Sequence, residues 1–451
     1  MPKPVIFITL LVSLALLAAP AAEAGTSEYV VVLGNGADVD AVVQEHVSLH
    51  GADVSHRYYH ALRGYAARLD GQAAASIRAD PRVLFVAGDR TFAAASQCDP
   101  EAVQCLPSGV DRIDADLSST AAGDGAGSVD VNVAVLDTGI DVTHPDLNVA
   151  GGRSCQESAG IDDKNGHGTH VAGTIGARDN SFGVVGVAPG ARLWAVRVLN
   201  QGGNTGPQGH DEGGLDELVC GVDWVTSTRT DLDPTNDIAI ANLSLVGGGS
   251  DDGNCGLTNA DPLHFAICNS AAAGVLYVAA AGNAGVDLRD TVPAAYDEVL
   301  AATAMWDTDG KPGGLNESPG FPGRFANGCD ARDDTFVAFS NFAVLPADRA
   351  RVLAAPGVCI ASTLPGGTYL GYFGGTSMAA AHVSGTAALC LASGACSGSA
   401  SAVRQTLLDD AEASNLLVPG YGFLGDPLHP LDPSHFYFGN HVGFLTDASL
   451  Y

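Results

Sequence analysis

The chain has 451 residues, and its 51 acidic and 21 basic side chains give a formal net charge of −30. This length is enough for one large domain with a small one beside it. Binding to nucleic acid or to an anionic membrane surface needs a basic face, so the charge argues against both as partners.

The first residues have the pattern of a secretion signal. Lys3 gives a positive start, residues 5–19 are apolar, and residues 22–24 form an A-x-A cleavage site. The alternative is a membrane anchor, but the apolar run is short for a span and no later run is long enough. We therefore expect a cleaved signal peptide at 1–24 and a secreted, extracellular protein.

The cysteine content agrees with export. Ten cysteines lie between Cys98 and Cys396, without the paired C-x-x-C clusters of a zinc site. An even number in an exported chain predicts structural disulfides, whose full connectivity the sequence leaves open. The local pairs that we predict are Cys255 with Cys268 and Cys390 with Cys396.

Residues 28–92 follow the order βαββαβ. The predicted elements are strands at 28–33 and 83–86, helices at 37–50 and 71–79, and a hairpin at 55–69. This order predicts a small ferredoxin-like α+β module, a shape with too many uses to fix a function. The small and polar residues at 93–106 have the composition of an exposed linker.

From about residue 110 the pattern becomes α/β. The predicted strands are 131–136, 193–199, 238–243, 275–280 and 299–304, and the predicted helices start at 167 or span 215–225, 262–273 and 376–391. Near-continuous apolar strands that alternate with helices predict a parallel sheet covered on both faces. In such sheets, functional residues gather at the carboxyl ends of the strands.

Four polar side chains stand beside glycines where predicted strands end or helices begin. Asp137 and Asn283 each follow a strand. His167 starts a helix, and Ser377 lies in the first turn of another, for which Thr376 is the expected N-cap. By itself each has an ordinary interpretation, because acids, amides and hydroxyls commonly serve as turn or cap residues.

Together the four residues support acyl transfer. Ser377 would attack a carbonyl, His167 would take and return the proton, and Asp137 would fix the histidine tautomer. The Asn283 side chain and the Ser377 backbone N–H would stabilise the oxyanion. A metal site made by His167 and His170 is the alternative, but zinc motifs with this spacing usually have the form H-E-x-x-H.

This combination resembles the subtilisin family of secreted serine proteases (subtilases). The order Asp137, His167, Ser377 is the order of that family, and the similarity extends from about residue 104 to 412. Further matching motifs are D-V-T-H-P-D-L at 141–147, G-V-A-P at 186–189 and A-P-G-V at 355–358. The resemblance implies a doubly wound, mostly parallel α/β sheet with helices on both faces, and a serine endopeptidase that acts on proteins or peptides.

The resemblance also implies a substrate groove. The substrate backbone would pair with Ser244, Leu245 and Val246, where Val246 replaces a usual glycine and would narrow the groove or shift the register. The wall of the pocket for the residue before the cut would be Ala280, Ala281 and Gly282. Such small wall residues predict a broad, apolar-leaning specificity.

A structural calcium ion is a further implication of the resemblance. Gln104, Asp146 and Asn180 match the side-chain ligands of the strong site in the family, and the backbone oxygens of Arg178, Phe182 and Val184 would complete it. An oxygen-only ligand set suits a hard cation such as Ca²⁺. The alternative is a loop held by ordinary hydrogen bonds.

The resemblance assigns a role to the small N-terminal module. Residues 25–95 would be an inhibitory propeptide, residues 96–415 the catalytic domain, and residues 416–451 a tail without an assigned role. We expect self-cleavage between Phe92 and Val103, near Ala95, with residues 92–95 in the active-site groove beforehand. A monomer is the expected oligomeric state.

Two other classes of protein share part of this pattern. A non-catalytic binding protein with the subtilase fold is disfavoured, because all four catalytic-type residues are present. A serine esterase of another fold would need a G-x-S-x-G elbow and the order Ser, acid, His. Here Ser377 lies in G-T-S-M-A, and the order is acid, His, Ser.

Overall fold

The structure is a computed structural model. It describes residues 27–34, 36–59, 62–88, 104–156, 160–200, 212–313, 333–369, 372–418, 420–431 and 441–451. The predicted signal peptide and the predicted cleavage window lie outside these residues. The chain divides into two compact units between residues 93 and 94.

The first unit has the predicted ferredoxin-like form. Its elements are β1 (Ser27–Leu33), α1 (Val39–His50), β2 (Asp53–Tyr58), β3 (Gly64–Leu69), α2 (Gly71–Arg78) and β4 (Val83–Gly88). The antiparallel sheet has the order β2-β3-β1-β4. Asp38 and Asp70 cap the two helices through their carboxylates, and Val43, Tyr65 and Ile77 are buried in the core between helices and sheet.

The second unit is built around a large sheet. The strands of the whole unit are β5 (Asn132–Asp137), β6 (Val149–Ser154), β7 (Arg192–Arg197), β8 (Ile240–Leu243), β9 (Gly247–Gly248), β10 (Leu276–Ala280), β11 (Thr291–Val292), β12 (Val299–Trp306), β13 (Thr335–Phe336), β14 (Val352–Pro356), β15 (Thr363–Leu364), β16 (Thr368–Tyr369) and β17 (Phe444–Leu445). Its helices are α3 (Ser108–Arg112), α4 (His167–Gly176), α5 (Leu215–Thr228), α6 (Pro262–Ala272), α7 (Pro346–Arg349), α8 (Thr376–Ser393) and α9 (Ala400–Leu417).

The large sheet is parallel apart from one short strand. Among the described residues its order is β17-β14-β12-β10-β8-β5-β7-β6, with β13 antiparallel to β12. The chain runs from β5 to β6 and β7 on one side and then continues with β8 on the other. The sheet therefore has a switch point at β5, the place where such sheets form a crevice outside the carboxyl ends of their strands.

Alternation along β5 explains why helices cover both faces. Val133 and Val135 point to a core shared with α4, α8 and α9, whereas Ala134 and Leu136 point to a core shared with α5 and α6. All four side chains are fully buried. The predicted doubly wound α/β sheet is confirmed.

The last described residues are part of this unit. Strand β17 pairs in parallel with β14, and the Asn415 side chain donates a hydrogen bond to the Leu445 carbonyl. Tyr451 is buried and its hydroxyl donates to Asp410. The C-terminal segment, for which the sequence indicated no structure, thus extends the sheet.

Disulfides cross-link segments of this unit. The predicted pairs Cys255–Cys268 and Cys390–Cys396 are confirmed. A third bond joins Cys155, which follows β6, to Cys220 on α5. In the part of the chain that the structure describes, no helix is long and apolar enough to cross a membrane.

Candidate active site

The four residues of the predicted constellation occupy the carboxyl edge of the sheet. Asp137 is the last residue of β5, and Asn283 lies three residues after the end of β10. His167 is the first residue of α4, and Ser377 is the second residue of α8.

The Asp137 carboxylate fixes the orientation and the tautomer of His167. The distances from His167 Nδ1 to Asp137 Oδ1 and Oδ2 are 2.8 and 2.9 Å. Asp137 is fully buried and also accepts the Thr138 N–H at 2.7 Å. Because a carboxylate only accepts hydrogen bonds, Nδ1 of the neutral imidazole carries the proton and Nε2 carries the lone pair.

The start of α4 is held by Asp163, a residue that the sequence analysis missed. This buried carboxylate accepts the N–H groups of Gly166 and Thr169 at 3.1 and 3.0 Å and the Thr169 hydroxyl at 2.6 Å. It also accepts the Thr138 hydroxyl at 3.0 Å, which connects the helix start to the residue after Asp137. The available signal was an acid shortly before a predicted helix start, where free N–H groups need acceptors.

Two glycines allow α4 to approach the end of β5 closely. A Cβ at Gly168 would lie 2.1 Å from the Gly139 carbonyl oxygen and 3.1 Å from Asp137 Oδ1. Gly139 itself has φ of +110°, a conformation that other residues rarely adopt. The glycines around the acid and the histidine therefore set the short distance between the two elements.

Ser377 is tied to the segment that follows β8. Its Oγ donates to the Ser244 carbonyl at 3.3 Å, and the Ser244 hydroxyl donates to the Ser377 carbonyl at 2.8 Å. Both serines are buried. Ser244 thus holds the start of α8 against the predicted substrate-binding segment.

That segment becomes progressively more exposed along the chain. Leu245 is half-buried and Val246 is 49% exposed. The next two residues form β9, which pairs antiparallel with β11.

Thr376 orients the Asn283 amide and is not an N-cap. Asn283 Oδ1 accepts the Thr376 N–H at 2.9 Å and its hydroxyl at 3.0 Å, while Thr376 Oγ1 accepts the Gly282 N–H at 3.0 Å. The cap position is Gly375, so the prediction for Thr376 is wrong by one residue, and its side chain is committed to this network. With the amide oxygen occupied, the Nδ2 group of Asn283 is the part that can donate to a ligand.

The predicted pocket wall is held by Asn341, which the sequence analysis also missed. Ala280 and Ala281 are buried, and Asn341 Nδ2 donates to the Ala281 carbonyl at 2.9 Å. Asn341 Oδ1 accepts the Ala284 N–H at 3.1 Å. A Cβ at Gly282 would lie 2.4 Å from Asn341 Nδ2, so this wall requires a glycine there.

His170 has a packing role in the structure. It is fully buried, its Nε2 lies 2.9 Å from the Ile360 carbonyl oxygen, and its ring stacks on Phe373 with a centroid distance of 4.6 Å. The same Phe373 ring stacks at 6.5 Å on His167.

The residues expected to bind calcium lie together in the same unit. Asp146 is fully buried, and its two oxygens accept Asn180 Nδ2 at 2.7 Å and the Val184 N–H at 3.0 Å. Gln104 Nε2 donates to the Arg178 carbonyl at 2.7 Å. Phe182 donates its N–H to Asn180 Oδ1 at 2.8 Å.

Two properties of this cluster fit a cation. Gln104 Oε1 is buried and has no hydrogen-bond partner among the described residues. Burial raises the pKa of Asp146 to about 6, although hydrogen bonds from Val184 and Asn180 and the charge of Arg178 favour the ionised carboxylate. The donor set consists of carbonyl and carboxylate oxygens, which suits a hard cation.

Comparison with known proteins places both units in described families. Residues 128–424 match the model of the subtilase family of peptidases, and residues 28–95 match the model of the peptidase inhibitor I9 family. Subtilisin E of Bacillus subtilis is 34% identical over 350 residues, which cover 76% of this chain and 74% of the relative. The subtilisin of Bacillus pumilus is 36% identical over 293 residues, which cover 64% of this chain and 85% of the relative.

The family match spans well over half of the chain, and the folds of both units agree with it. The chain therefore belongs to the subtilase family of serine endopeptidases, with an inhibitor I9 domain preceding its catalytic unit.

Proposed function

We propose that the chain is a self-processing zymogen whose endopeptidase activity depends on a triad of Asp137, His167 and Ser377. The observation that carries this proposal is the 2.8 Å contact between His167 Nδ1 and the buried Asp137 carboxylate. It leaves the basic Nε2 of the ring to act on a substrate or a nucleophile at the carboxyl edge of the sheet.

The residues divide the reaction into two acyl-transfer steps. Ser377 Oγ attacks the scissile carbonyl carbon, and its proton passes to His167 Nε2. The tetrahedral oxyanion accepts hydrogen bonds from Asn283 Nδ2 and the Ser377 N–H. Collapse breaks the C–N bond, and the leaving amine takes the proton from His167. Water then attacks the acyl-enzyme by the same route and restores the serine.

The specificity that we propose is broad and apolar-leaning. Two alanines and a glycine at 280–282 leave room for a large apolar side chain of the substrate. Asn341 holds this wall in place through its hydrogen bond to the Ala281 carbonyl. Val246, whose side chain is exposed, belongs to the segment that would pair with the substrate backbone. Proteins or peptides are the substrates, with no role for nucleic acid or a membrane.

The N-terminal unit would inhibit the catalytic unit until it is cut off, with cleavage between Phe92 and Val103 near Ala95. Its match to an inhibitor I9 domain supports this role. We also propose secretion as a monomer, with a structural calcium ion at Gln104, Asp146 and Asn180. When bound, this ion would tie the segment around residue 104 to the loop at 178–184.

Time-resolved mass measurement of the full chain tests the proposal. Wild type should shorten, with a new N-terminus between residues 92 and 103, whereas Ser377→Ala should stay at the length left by signal removal. Ser393→Ala is the matched control, because Ser393 lies at the other end of α8, where its hydroxyl donates to the Cys390 carbonyl and accepts the Ala395 N–H. If Ser377→Ala shortens at the same rate as wild type, Ser377 does not process the chain. If a folded wild type neither shortens nor cleaves peptides, the non-catalytic binding protein is the better description.

A further inference from the structure

Three buried carboxylates meet at a place remote from the triad residues in sequence. Asp307 follows the last residue of β12, and Asp333 and Asp334 directly precede β13. One oxygen from each lies within 4.8 Å of the other two. The side chains are 0%, 4% and 5% exposed, so water cannot solvate their charges from outside.

The positive charge beside them is that of Arg112 at the end of α3. Its guanidinium is fully buried, and Nε donates to Asp334 Oδ1 at 2.6 Å. Its Nη2 donates instead to the carbonyls of Tyr421 and Gly422, at 2.6 and 3.1 Å. Buried carboxylates are strongly unfavourable unless their charges are compensated, and Arg112 bonds directly only to Asp334 among these three in the described residues.

One buried carboxylate oxygen in this group has no hydrogen-bond partner in the part of the chain that the structure describes. Asp307 Oδ1 accepts the Gly310 N–H at 3.1 Å, but Oδ2 has no hydrogen-bond partner among the described residues, although the side chain is fully buried. By contrast, Asp333 Oδ1 accepts the Thr308 N–H at 2.9 Å and its hydroxyl at 3.0 Å. Buried polar atoms are rarely left without a partner, so Asp307 Oδ2 indicates a missing ligand.

We propose that Asp307, Asp333 and Asp334 bind a calcium ion. Two oxygens that bind one calcium ion at the typical 2.3–2.6 Å lie at most about 5 Å apart, and these three lie within 4.8 Å of one another. The absence of sulfur and imidazole from these three ligands favours calcium over zinc. This site shares no residue with the one proposed at Asp146.

The bound ion would compensate the negative charge of these carboxylates and engage Asp307 Oδ2. It would also tie the chain after β12 to the chain before β13, and through Arg112 to α3. Its contribution is therefore to the stability of the catalytic unit, independent of whether the triad acts as proposed.

Calcium stoichiometry of the full chain tests the site. All variants carry Ser377→Ala to prevent self-cleavage and Asp146→Asn to remove the other proposed site, and bound metal is counted after equilibrium dialysis against Ca²⁺. Adding Asp307→Asn should lower the count by one ion per chain. Adding Asp130→Asn, an exposed acid paired with Arg192, should leave it unchanged. An unchanged count in a folded Asp307→Asn chain would overturn the proposal.

A second measurement covers a failure of Asp307→Asn to fold. Trp306 directly precedes Asp307, and the other two tryptophans of the chain, Trp194 and Trp224, pack against each other on different elements. Terbium bound at the site should therefore emit on tryptophan excitation, and calcium should displace it. Trp306→Phe should remove most of this emission and keep the calcium count. Calcium-displaceable emission that Trp306→Phe leaves unchanged, or none in the parent, would contradict the site.

Discussion

Two hydrogen-bonded pairs decide which atoms of the catalytic side chains face the substrate. Asp137 holds the Nδ1 side of His167, and Thr376 holds the oxygen of the Asn283 amide. Asp137 can only accept a hydrogen bond from His167, so the acceptor nitrogen of the ring is left for the site. Thr376 donates to the amide oxygen of Asn283, so the NH₂ group of the amide is left for the site. The chemistry thus depends on residues that need not touch the substrate.

The Asp137→Asn variant tests the first pair. An amide at this position can donate to Nδ1 and favour the tautomer with the proton on Nε2, which cannot act as a base. We expect kcat on a peptide substrate to fall about 10⁴-fold, the loss known for this change in a serine protease, with little change in KM. Steady-state kinetics measure the loss of kcat on enzyme whose N-terminal unit has been removed by another protease. Asp130→Asn, treated in the same way, is the control. A kcat within tenfold of the parent would contradict the assigned role of Asp137.

At this scale the sequence predicts the residues that stand in recognisable motifs, but not the hydrogen-bond networks that position them. Asp137, His167, Asn283 and Ser377 were identifiable because each stands in a glycine-flanked motif at a strand or helix end. Asn341 was not, because its role arises from backbone groups up to 60 residues away in sequence, as in its bond to the Ala281 carbonyl. Asp163 was missed although it lies just before a predicted helix start, because an acid there is commonly an ordinary cap.

At the scale of elements, α4 can pack closely against the end of β5 because the contact residues are glycines. Gly168 faces the Gly139 carbonyl so closely that even a methyl group would overlap it. The position of His167 therefore depends on helix packing as well as on its bond to Asp137.

The Gly168→Ala variant tests this packing. The added methyl must push α4 away from β5, so we expect a loss of about 1–3 kcal/mol in the free energy of unfolding, as overpacking of a core costs, together with a lower kcat. Denaturant unfolding and peptide kinetics measure the two effects. Gly160→Ala is the control, because a Cβ there would meet no atom within 4 Å. If Gly168→Ala has the stability and kcat of the parent, α4 and β5 are not packed as closely as proposed.

Apolar strands such as β5 and β12 were predicted as elements, whereas helix α9, which Ser399 caps, and the short or irregular strands were not. The sequence V-A-G-G-R-S of β6 has two glycines and little strand pattern, and it is a strand because β7 pairs with it. Strand β17 has only two residues and depends on β14, which lies about 90 positions earlier. Such strands exist through tertiary pairing, which periodicity cannot reveal.

At the scale of the whole molecule, the catalytic unit contains buried carboxylates whose charges need compensation. Arg112 compensates part of the charge at Asp334, and Asp146 accepts donors from Asn180 and Val184. The proposed calcium ions would complete this compensation. The stability of the catalytic unit should therefore depend on calcium and on pH together.

Thermal unfolding with calcium or with chelator tests this dependence. Burial raises the pKa of Asp146 to about 6, so without calcium the carboxyl is protonated below that pH and ionises at a cost above it. Because calcium binds the ionised form, the difference in thermal midpoint between calcium and chelator should grow as the pH rises from 5 to 7. Asp146→Asn should reduce this growth. A chelator that leaves the midpoint unchanged at pH 7 would contradict the calcium sites.

The most direct test of the account is covalent labelling of the processed enzyme with an organophosphorus fluoride, followed by peptide mapping. A serine activated by His167 attacks phosphorus and releases fluoride, so we predict one label per chain, on Ser377 Oγ. Labelling should be strongly slowed in a folded His167→Ala variant and unaffected by Ser393→Ala. A label on another residue, or none on a folded wild-type chain, would contradict the assignment of Ser377 as the nucleophile.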